Sequence, residues 1–101
     1  MSKKTKLLEF SKKEREIIYE RDNYSCVFCG STYALGVAHY IPRSKSGLGI
    51  KENGVLACQT CHYKLDFGTK KERAAFQQAL NDYLTNHYGI IDIEKLKYRK
   101  W

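Results

Sequence analysis

The sequence predicts a small α+β domain whose centre is a strand–loop–strand–helix unit, with one helix before it and a long helix after it. Three observations support this prediction. Two short β-leaning stretches enclose a polar loop, cysteine pairs lie at both ends of the unit, and helix-start signals stand on either side of it. The chain has 101 residues, which suits one domain with a modest core.

The first helix is predicted to run from Ser11 to about Asp22. The stretch "SKKE" is typical of a capping box, in which the serine side chain accepts from a backbone N–H and Glu14 reaches back. Residues 1–10 begin "MSKKTKLLEF" and are expected to be a solvated basic tail. The single domain is therefore expected to span residues 11–101.

The centre follows from patterns of turn and strand residues. "ALGVAHYI" predicts a short strand ending before Pro42, and "GVLAC" predicts a second strand after the polar loop "PRSKSGLGIKENG". "QTCHYKLD" predicts a short helix that ends near Gly68. "TKKE" is a second capping box and opens the longest helix, which we expect to stop at Gly89.

The four cysteines form two C-x2-C pairs, Cys26 with Cys29 and Cys58 with Cys61. Two such pairs separated in sequence are the arrangement of a four-thiolate zinc site. Two intervening residues make a tight turn that aims both sulfurs at one ion, and two turns complete a tetrahedron. The sequence therefore predicts structural Zn2+ that fixes the two strands and the helix relative to each other.

The chain carries a net charge of +7 and has a pI near 9.3, which favours phosphate polyanions or an acidic membrane surface as partners. No apolar run is long enough to span a membrane, so no membrane partner is expected. The first residues lack the apolar stretch of a secretory signal. We expect a cytoplasmic protein, in which stable disulfides do not form.

His62 and Asp66, in "CHYKLD", lie four residues apart. On a helix their side chains leave the same face, one turn apart. A histidine and a carboxylate placed in this way form either a metal site or an ordinary surface pair. The spacing taken alone leaves both interpretations open.

Around these residues the sequence resembles the HNH endonucleases, in the branch where a four-cysteine zinc site braces the ββα-metal (His-Me finger) motif. The resemblance is carried by "CVFCG", by "AHYIPRSKSGLGIKENGVLACQTCHYKLDFG" and by the spacing between them. His39, Asn53 and His62 match the three motif positions. The ending "LKYRKW" and the stretch "NDYLTNHYG" also look like small phage-associated members of the family.

The resemblance implies a metal-dependent hydrolase of DNA phosphodiester bonds. His39 would be the general base that takes a proton from water. His62 and Asp66 would hold a catalytic divalent metal, Mg2+ or another ion, at the scissile phosphate. Asn53 would brace the loop between the strands and so orient the base.

DNA is therefore the expected partner, and Arg43 and Lys45, close to the base, are the expected nucleic-acid contacts. Phage packaging proteins are a further candidate partner. The sequence does not fix the oligomeric state.

Two alternatives stay open. Family members often carry a metal-binding aspartate or histidine immediately before the base, where this chain has Ala38. A zinc-stapled DNA-binding module with weakened or lost catalysis would also fit that difference. A protein-interaction module is the other alternative, with Tyr98 and Trp101 as anchors.

Overall fold

The computed structural model describes residues 3–98 and shows a two-stranded antiparallel sheet with helices packed on both of its faces. The helices and strands follow one another along the chain as α1 (Lys3–Leu8), α2 (Lys12–Arg21), β1 (Leu35–His39), β2 (Gly54–Cys58), α3 (Gln59–Phe67) and α4 (Lys70–Tyr88). Short 3-10 turns cover Arg43–Lys45, Lys51–Asn53 and Ile93–Leu96. This order confirms the predicted α+β architecture, with α2 before the strand–loop–strand–helix centre and the long helix α4 after it, and it adds the helix α1, which was not predicted.

The pairing of β1 with β2 places the loop between them beside the candidate base. Leu35 is opposite Cys58, and His39 is opposite Gly54. The loop of residues 40–53 thus leaves the sheet at His39 and returns to it at the neighbouring position of the other strand. Contacts within this loop therefore affect the position of His39 directly.

β2 is buried along its whole length because both faces of the hairpin are covered. Alternate side chains of a strand point to opposite faces. Leu56 packs with Ile18 of α2 on one face, whereas Val55 packs on the other face in the cluster that contains Leu80 and Leu84 of α4. The strand is thus held between the helices that precede and follow it.

The two predicted helix starts are both present, but they are built differently. The Ser11 side chain accepts from the Glu14 N–H at 3.2 Å, as expected for the start of α2. The Glu14 carboxylate does not reach back; it accepts from the Lys51 N–H at 2.8 Å instead and satisfies a donor in the distant loop. At α4, Thr69 and Glu72 form the complete reciprocal capping box.

Glycines end α3 and α4 at the predicted positions. The Gly68 N–H donates to the Lys64 carbonyl at 3.0 Å, and a Cβ atom at this position would lie 2.4 Å from that oxygen. Gly89 adopts a φ of 83°, in the left-handed region that favours glycine. Within residues 3–98, no helix is long and apolar enough to cross a membrane.

The amino-terminal segment differs from the predicted solvated tail. Residues 3–8 form α1, and Leu8 and Phe10 are only 6% and 8% exposed. The Gly49 N–H donates to the Leu7 carbonyl at 3.0 Å, which ties this segment to the loop between the strands. Burial of two large apolar side chains outweighs the tendency of the neighbouring lysines to remain in water.

A buried carboxylate that the sequence analysis did not single out joins three elements. Asp22, directly after α2, is 4% exposed and lies 2.6 Å from the Arg21 guanidinium. It also accepts from the Leu56 N–H of β2 at 2.8 Å and from the Tyr83 hydroxyl of α4. Burial and this hydrogen bond raise the pKa of Tyr83 to about 12. The network therefore fixes α2 and α4 to the central strand.

Candidate functional site

The four cysteine thiols form one compact group, as the paired spacing predicts. Cys26 and Cys29 lie in the turn after α2, Cys58 ends β2, and Cys61 lies in the first turn of α3. The four sulfur atoms all lie within 4.8 Å of one another, and the Sγ atoms of Cys29 and Cys58 are 3.6 Å apart. A tetrahedral site with Zn–S bonds of about 2.3 Å has sulfur–sulfur distances of about 3.8 Å. The group therefore fits a tetrahedral metal ion.

The chemistry of these thiols points the same way. Burial, together with hydrogen bonds to the other three cysteines, raises the pKa of the Cys61 thiol. Four thiolates placed this close together repel one another, so their joint deprotonation requires a bound cation. The donor set is thus suited to a soft-ligand metal site rather than to four independent thiols.

One open cavity brings together most of the residues predicted for catalysis. His39 enters it from the end of β1, His62 and Asp66 from α3, and Arg43 from the loop between the strands. Asn53 lies beneath the loop and is fully buried. The cavity therefore gathers a base candidate, two metal-ligand candidates and a cation from three separate parts of the chain.

His62 and Asp66 interact directly across one turn of α3. The His62 Nε2 atom lies 3.2 Å from the Asp66 Oδ2 atom, and both side chains remain partly exposed. Two ligands at right angles, each about 2.1 Å from an octahedral ion, lie about 3.0 Å apart. The pair therefore fits two neighbouring positions of one divalent ion, and its exposure leaves room for water and phosphate ligands.

His39 is held by the amino-terminal segment. Its Nε2 atom lies 2.9 Å from the Leu8 carbonyl oxygen, and its ring centroid lies 4.4 Å from that of Phe10. A carbonyl can only accept, so this contact places the proton on Nε2 and leaves Nδ1 as the basic nitrogen. Burial lowers the pKa of His39, and the Leu8 carbonyl opposes only part of that effect. The imidazole is accordingly neutral at neutral pH.

Asn53 uses its whole amide to hold the loop that follows His39. Its Oδ1 atom accepts from the Ile41 N–H at 2.8 Å. Its Nδ2 atom donates to the Ile41 carbonyl at 3.1 Å and to the Leu48 carbonyl at 2.8 Å. The Asn53 carbonyl also accepts from the Tyr40 N–H at 2.8 Å. Asn53 is thus placed to position the loop and does not touch the cavity itself.

Ala38 is fully buried and belongs to the main core cluster. Its neighbours Val37 and His39 line the cavity, as alternation along a strand requires. A side chain at position 38 therefore points away from the cavity in this backbone conformation. A carboxylate there would enter the core rather than complete a metal site.

The two predicted nucleic-acid contacts lie in adjoining cavities. Arg43 lines the cavity of His39, and its Nη2 atom lies 3.6 Å from the Glu9 Oε1 atom. Lys45, at the end of the same 3-10 turn, lines a second cavity that shares Pro42 and Asp66 with the first. The turn therefore places one cation in each of the two cavities, Arg43 in the first and Lys45 in the second.

Sequence patterns did not reveal the amino-terminal contribution to the cavity. Glu9, Phe10 and Arg15 line it beside His39. The apolar letters of "LLEF" within an otherwise basic stretch are the one signal that could have indicated a packed segment. Of the two anchors proposed for a protein-interaction module, Tyr98 is half-buried, and Trp101 lies outside the described residues.

A family model described as HNH endonuclease matches residues 26–67. This segment contains both cysteine pairs, the hairpin, the loop and α3. It also contains each of the three predicted motif positions, His39, Asn53 and His62. Residues 26–67 are therefore similar to the HNH endonuclease family.

One solved structure has a fold similar to that of this chain. The structure of the Type IV phosphorothioation-dependent restriction endonuclease ScoMcrA superposes with a TM-score of 0.61 at 22% identity. The similarity covers 77% of this chain and 20% of that chain, so this chain corresponds to about a fifth of that protein. No curated protein matches the sequence.

Proposed function

We propose that this protein is an endonuclease that hydrolyses phosphodiester bonds of DNA. One observation carries the proposal: His39, His62, Asp66 and Arg43 converge on one open cavity within a segment that matches the HNH endonuclease family. A neutral imidazole can serve this hydrolysis as general base, a histidine–carboxylate pair can hold a divalent metal, and a guanidinium can bind phosphate. The net charge of +7 supports a polyanionic substrate.

His39 acts as the general base. The Leu8 carbonyl fixes the proton on Nε2, so Nδ1 accepts the proton of the attacking water. The lowered pKa keeps this nitrogen unprotonated at neutral pH. The tautomer that a general base requires is thus set by the protein before the substrate binds.

His62 and Asp66 hold the catalytic divalent metal, Mg2+ or another ion. Such an ion, when bound, offsets the charge that develops on the scissile phosphate and the leaving oxygen. The 3.2 Å separation of the two ligand atoms supports joint ligation, and their partial exposure leaves the remaining positions to water and substrate. Because imidazole suits transition metals better than Mg2+, we expect Mn2+ to support activity at lower concentration.

Arg43, Asn53 and the cysteines complete the arrangement. Arg43 binds a phosphate oxygen through its planar guanidinium, beside the base. Asn53 is a positioning residue that acts through the loop. The four cysteines bind structural Zn2+, which fixes the end of β2 and the start of α3, and hence His62, relative to the turn after α2.

The cellular setting is part of the proposal. Four cysteines without a disulfide suit the reducing cytoplasm, where DNA is accessible. The resemblance to small phage-associated HNH proteins favours a phage or prophage origin, with packaging proteins as candidate partners.

Cleavage of supercoiled plasmid by the zinc-loaded protein tests the function. Wild type should nick or cut the plasmid when Mg2+ or Mn2+ is added. The cleavage rate of the His39→Ala variant should be lower by roughly a hundredfold or more, which is the contribution of a general base. His87→Ala is the matched control, because His87 is exposed on α4 outside the cavity. Equal cleavage by wild type and His39→Ala would contradict the proposed base.

A DNA-binding module without catalysis is the second candidate. It is favoured by Ala38, which supplies no ligand atom at the position where family members often carry an aspartate or a histidine. DNA binding by folded, zinc-loaded protein without cleavage in several divalent metals would establish this candidate. Metal-dependent turnover that is lost in His39→Ala would eliminate it.

A further inference from the structure

A second cavity adjoins the candidate active site, and its wall carries three cations from three separate elements. The two cavities meet at Pro42 and Asp66. Lys45 comes from the loop between the strands, Arg73 from the first turns of α4, and Lys97 from the segment after the last 3-10 turn. We refer to Lys45, Arg73 and Lys97 with their cavity as the basic groove.

The carboxy-terminal segment is fixed to the loop that carries the first of these cations. The Leu48 N–H donates to the Leu96 carbonyl at 2.8 Å, and the Tyr98 N–H donates to the Ser46 carbonyl at 2.7 Å. Between these two bonds, Lys97 forms a β-bridge with the loop. Backbone pairing therefore holds Lys97 next to the loop that carries Lys45, although the two residues are far apart in sequence.

The charges of the groove are not balanced by neighbouring carboxylates. Among residues 3–98, neither Lys45 nor Arg73 forms an ion pair, and both side chains are exposed. Lys97 lies 3.9 Å from Glu94, and this distance gives only a weak, solvent-screened interaction. Asp66 is the carboxylate at the edge shared with the active-site cavity. Net positive charge thus lies directly beside the proposed cleavage site.

We propose that the basic groove binds the phosphates of the DNA strand that flank the scissile phosphate. The inference rests on the proposed function, because it takes the cavity of His39 as the point of cleavage. Three cations, two of them without an ion pair among residues 3–98, suit a ligand with a charge at every repeat, and contacts to successive phosphates place the strand without reading its sequence. The groove also gives a role to α4 and to the carboxy-terminal segment, both of which lie beyond the family match at residues 26–67.

The salt dependence of DNA binding tests this inference separately from catalysis. Binding of a fluorescein-labelled duplex would be measured over a salt series in a His39→Ala background, so that the probe is not cut. The groove variant combines Lys45→Gln, Arg73→Gln and Lys97→Gln. The slope of log K against log salt is negative, and each lost phosphate contact should reduce its magnitude by about 0.9. The magnitude of the slope should therefore be smaller by about 2.7 in the triple variant.

The matched control combines Lys12→Gln, Lys71→Gln and Lys95→Gln. These three lysines are exposed and line neither cavity, so the control has the same net charge as the groove variant. We expect a much smaller change of slope in the control. Equal changes in both variants would show diffuse attraction by net charge and would overturn the inference.

Other outcomes are equally informative. If wild type binds and cleaves DNA but the groove variant keeps the full slope, the inference that the groove binds phosphates is overturned. The proposed endonuclease function is then unaffected. That result would fit a groove for an acidic protein segment. If wild type neither binds nor cleaves DNA, both proposals fail. Should the triple variant lose its fold by circular dichroism, Arg73→Gln alone, at an exposed position, should still reduce the slope by about 0.9.

Discussion

Replacing Asn53 by alanine tests whether one buried amide holds the loop beside the candidate base. The side chain is fully buried and makes three hydrogen bonds to loop backbone, one from the Ile41 N–H and two to the carbonyls of Ile41 and Leu48. The substitution removes one acceptor and two donors together. It leaves three backbone groups of the partly buried residues Ile41 and Leu48 without their partner.

The expected loss follows from those three groups. A buried polar group that loses its partner costs about 1–3 kcal/mol, and water entering the vacated space recovers part of that cost. We therefore expect the free energy of unfolding to fall by about 3–5 kcal/mol, a large share of the roughly 5–15 kcal/mol available to a small domain. At about 4 °C or more per kcal/mol, the melting temperature should fall by at least about 12 °C.

Thermal unfolding of zinc-loaded protein in one buffer would measure the loss. Asn81→Ala is the matched control, because within residues 3–98 its side-chain amide donates one hydrogen bond, 3.0 Å long, to the Tyr40 hydroxyl. That variant should lose only about 1 kcal/mol. Asn53→Asp should be at least as destabilised as Asn53→Ala, since a carboxylate would face two carbonyl oxygens. An Asn53→Ala variant that unfolds within about 1 kcal/mol of wild type would refute the assigned role.

Three further results are expected. Asp22→Asn should lower the free energy of unfolding by about 3–5 kcal/mol, because it leaves the Arg21 guanidinium without its buried counter-charge. Denaturant unfolding would measure this, with exposed Asp82→Asn as control, and equal stability of the two variants would contradict it. The imidazole of His39 should titrate below the ordinary pKa of 6.5 in NMR spectra, since burial disfavours its charged form. As the pH falls, His39 is protonated in the unfolded chain before it is protonated in the folded protein. The contribution of neutral His39 to stability is therefore fully present above pH 6.5 and is lost as the pH falls below it. An NMR midpoint above 6.5 would contradict the burial argument. Cys58→Ser should lose the bound metal, and elemental analysis that still finds about one zinc ion per chain would exclude the four-thiolate site.

Local sequence patterns were sufficient for the two strands, for α2, α3 and α4, and for the grouping of the four thiols, but not for α1. The start of α4 is encoded by Thr69 and Glu72, three residues apart, and its end by Gly89. Such signals are readable because the interacting groups lie within one turn of each other. The cysteine pairs are readable for the same reason, since two ligands on one tight turn must lie close together.

The arrangement of the candidate site could be predicted from the sequence only in part. His62 and Asp66 are neighbours on one helix, so their contact follows from spacing once the helix is known. The approach of His39 to this pair depends on the hairpin register and on the packing of α3 against the sheet. No short-range pattern specifies that approach, and only the resemblance to a known family indicated it.

The sequence by itself determined the α+β architecture, the paired thiols and the neighbouring positions of His62 and Asp66 on α3. Only the tertiary structure decided that the Leu8 carbonyl orients His39, that Asp22 is buried between three elements, and that Glu14 caps the loop at Lys51 instead of its own helix. The physical reason is common to all three. Every residue carries a backbone carbonyl and nearly every residue an N–H, so a side chain that bonds a distant backbone group has a partner without any distinguishing letter in the sequence.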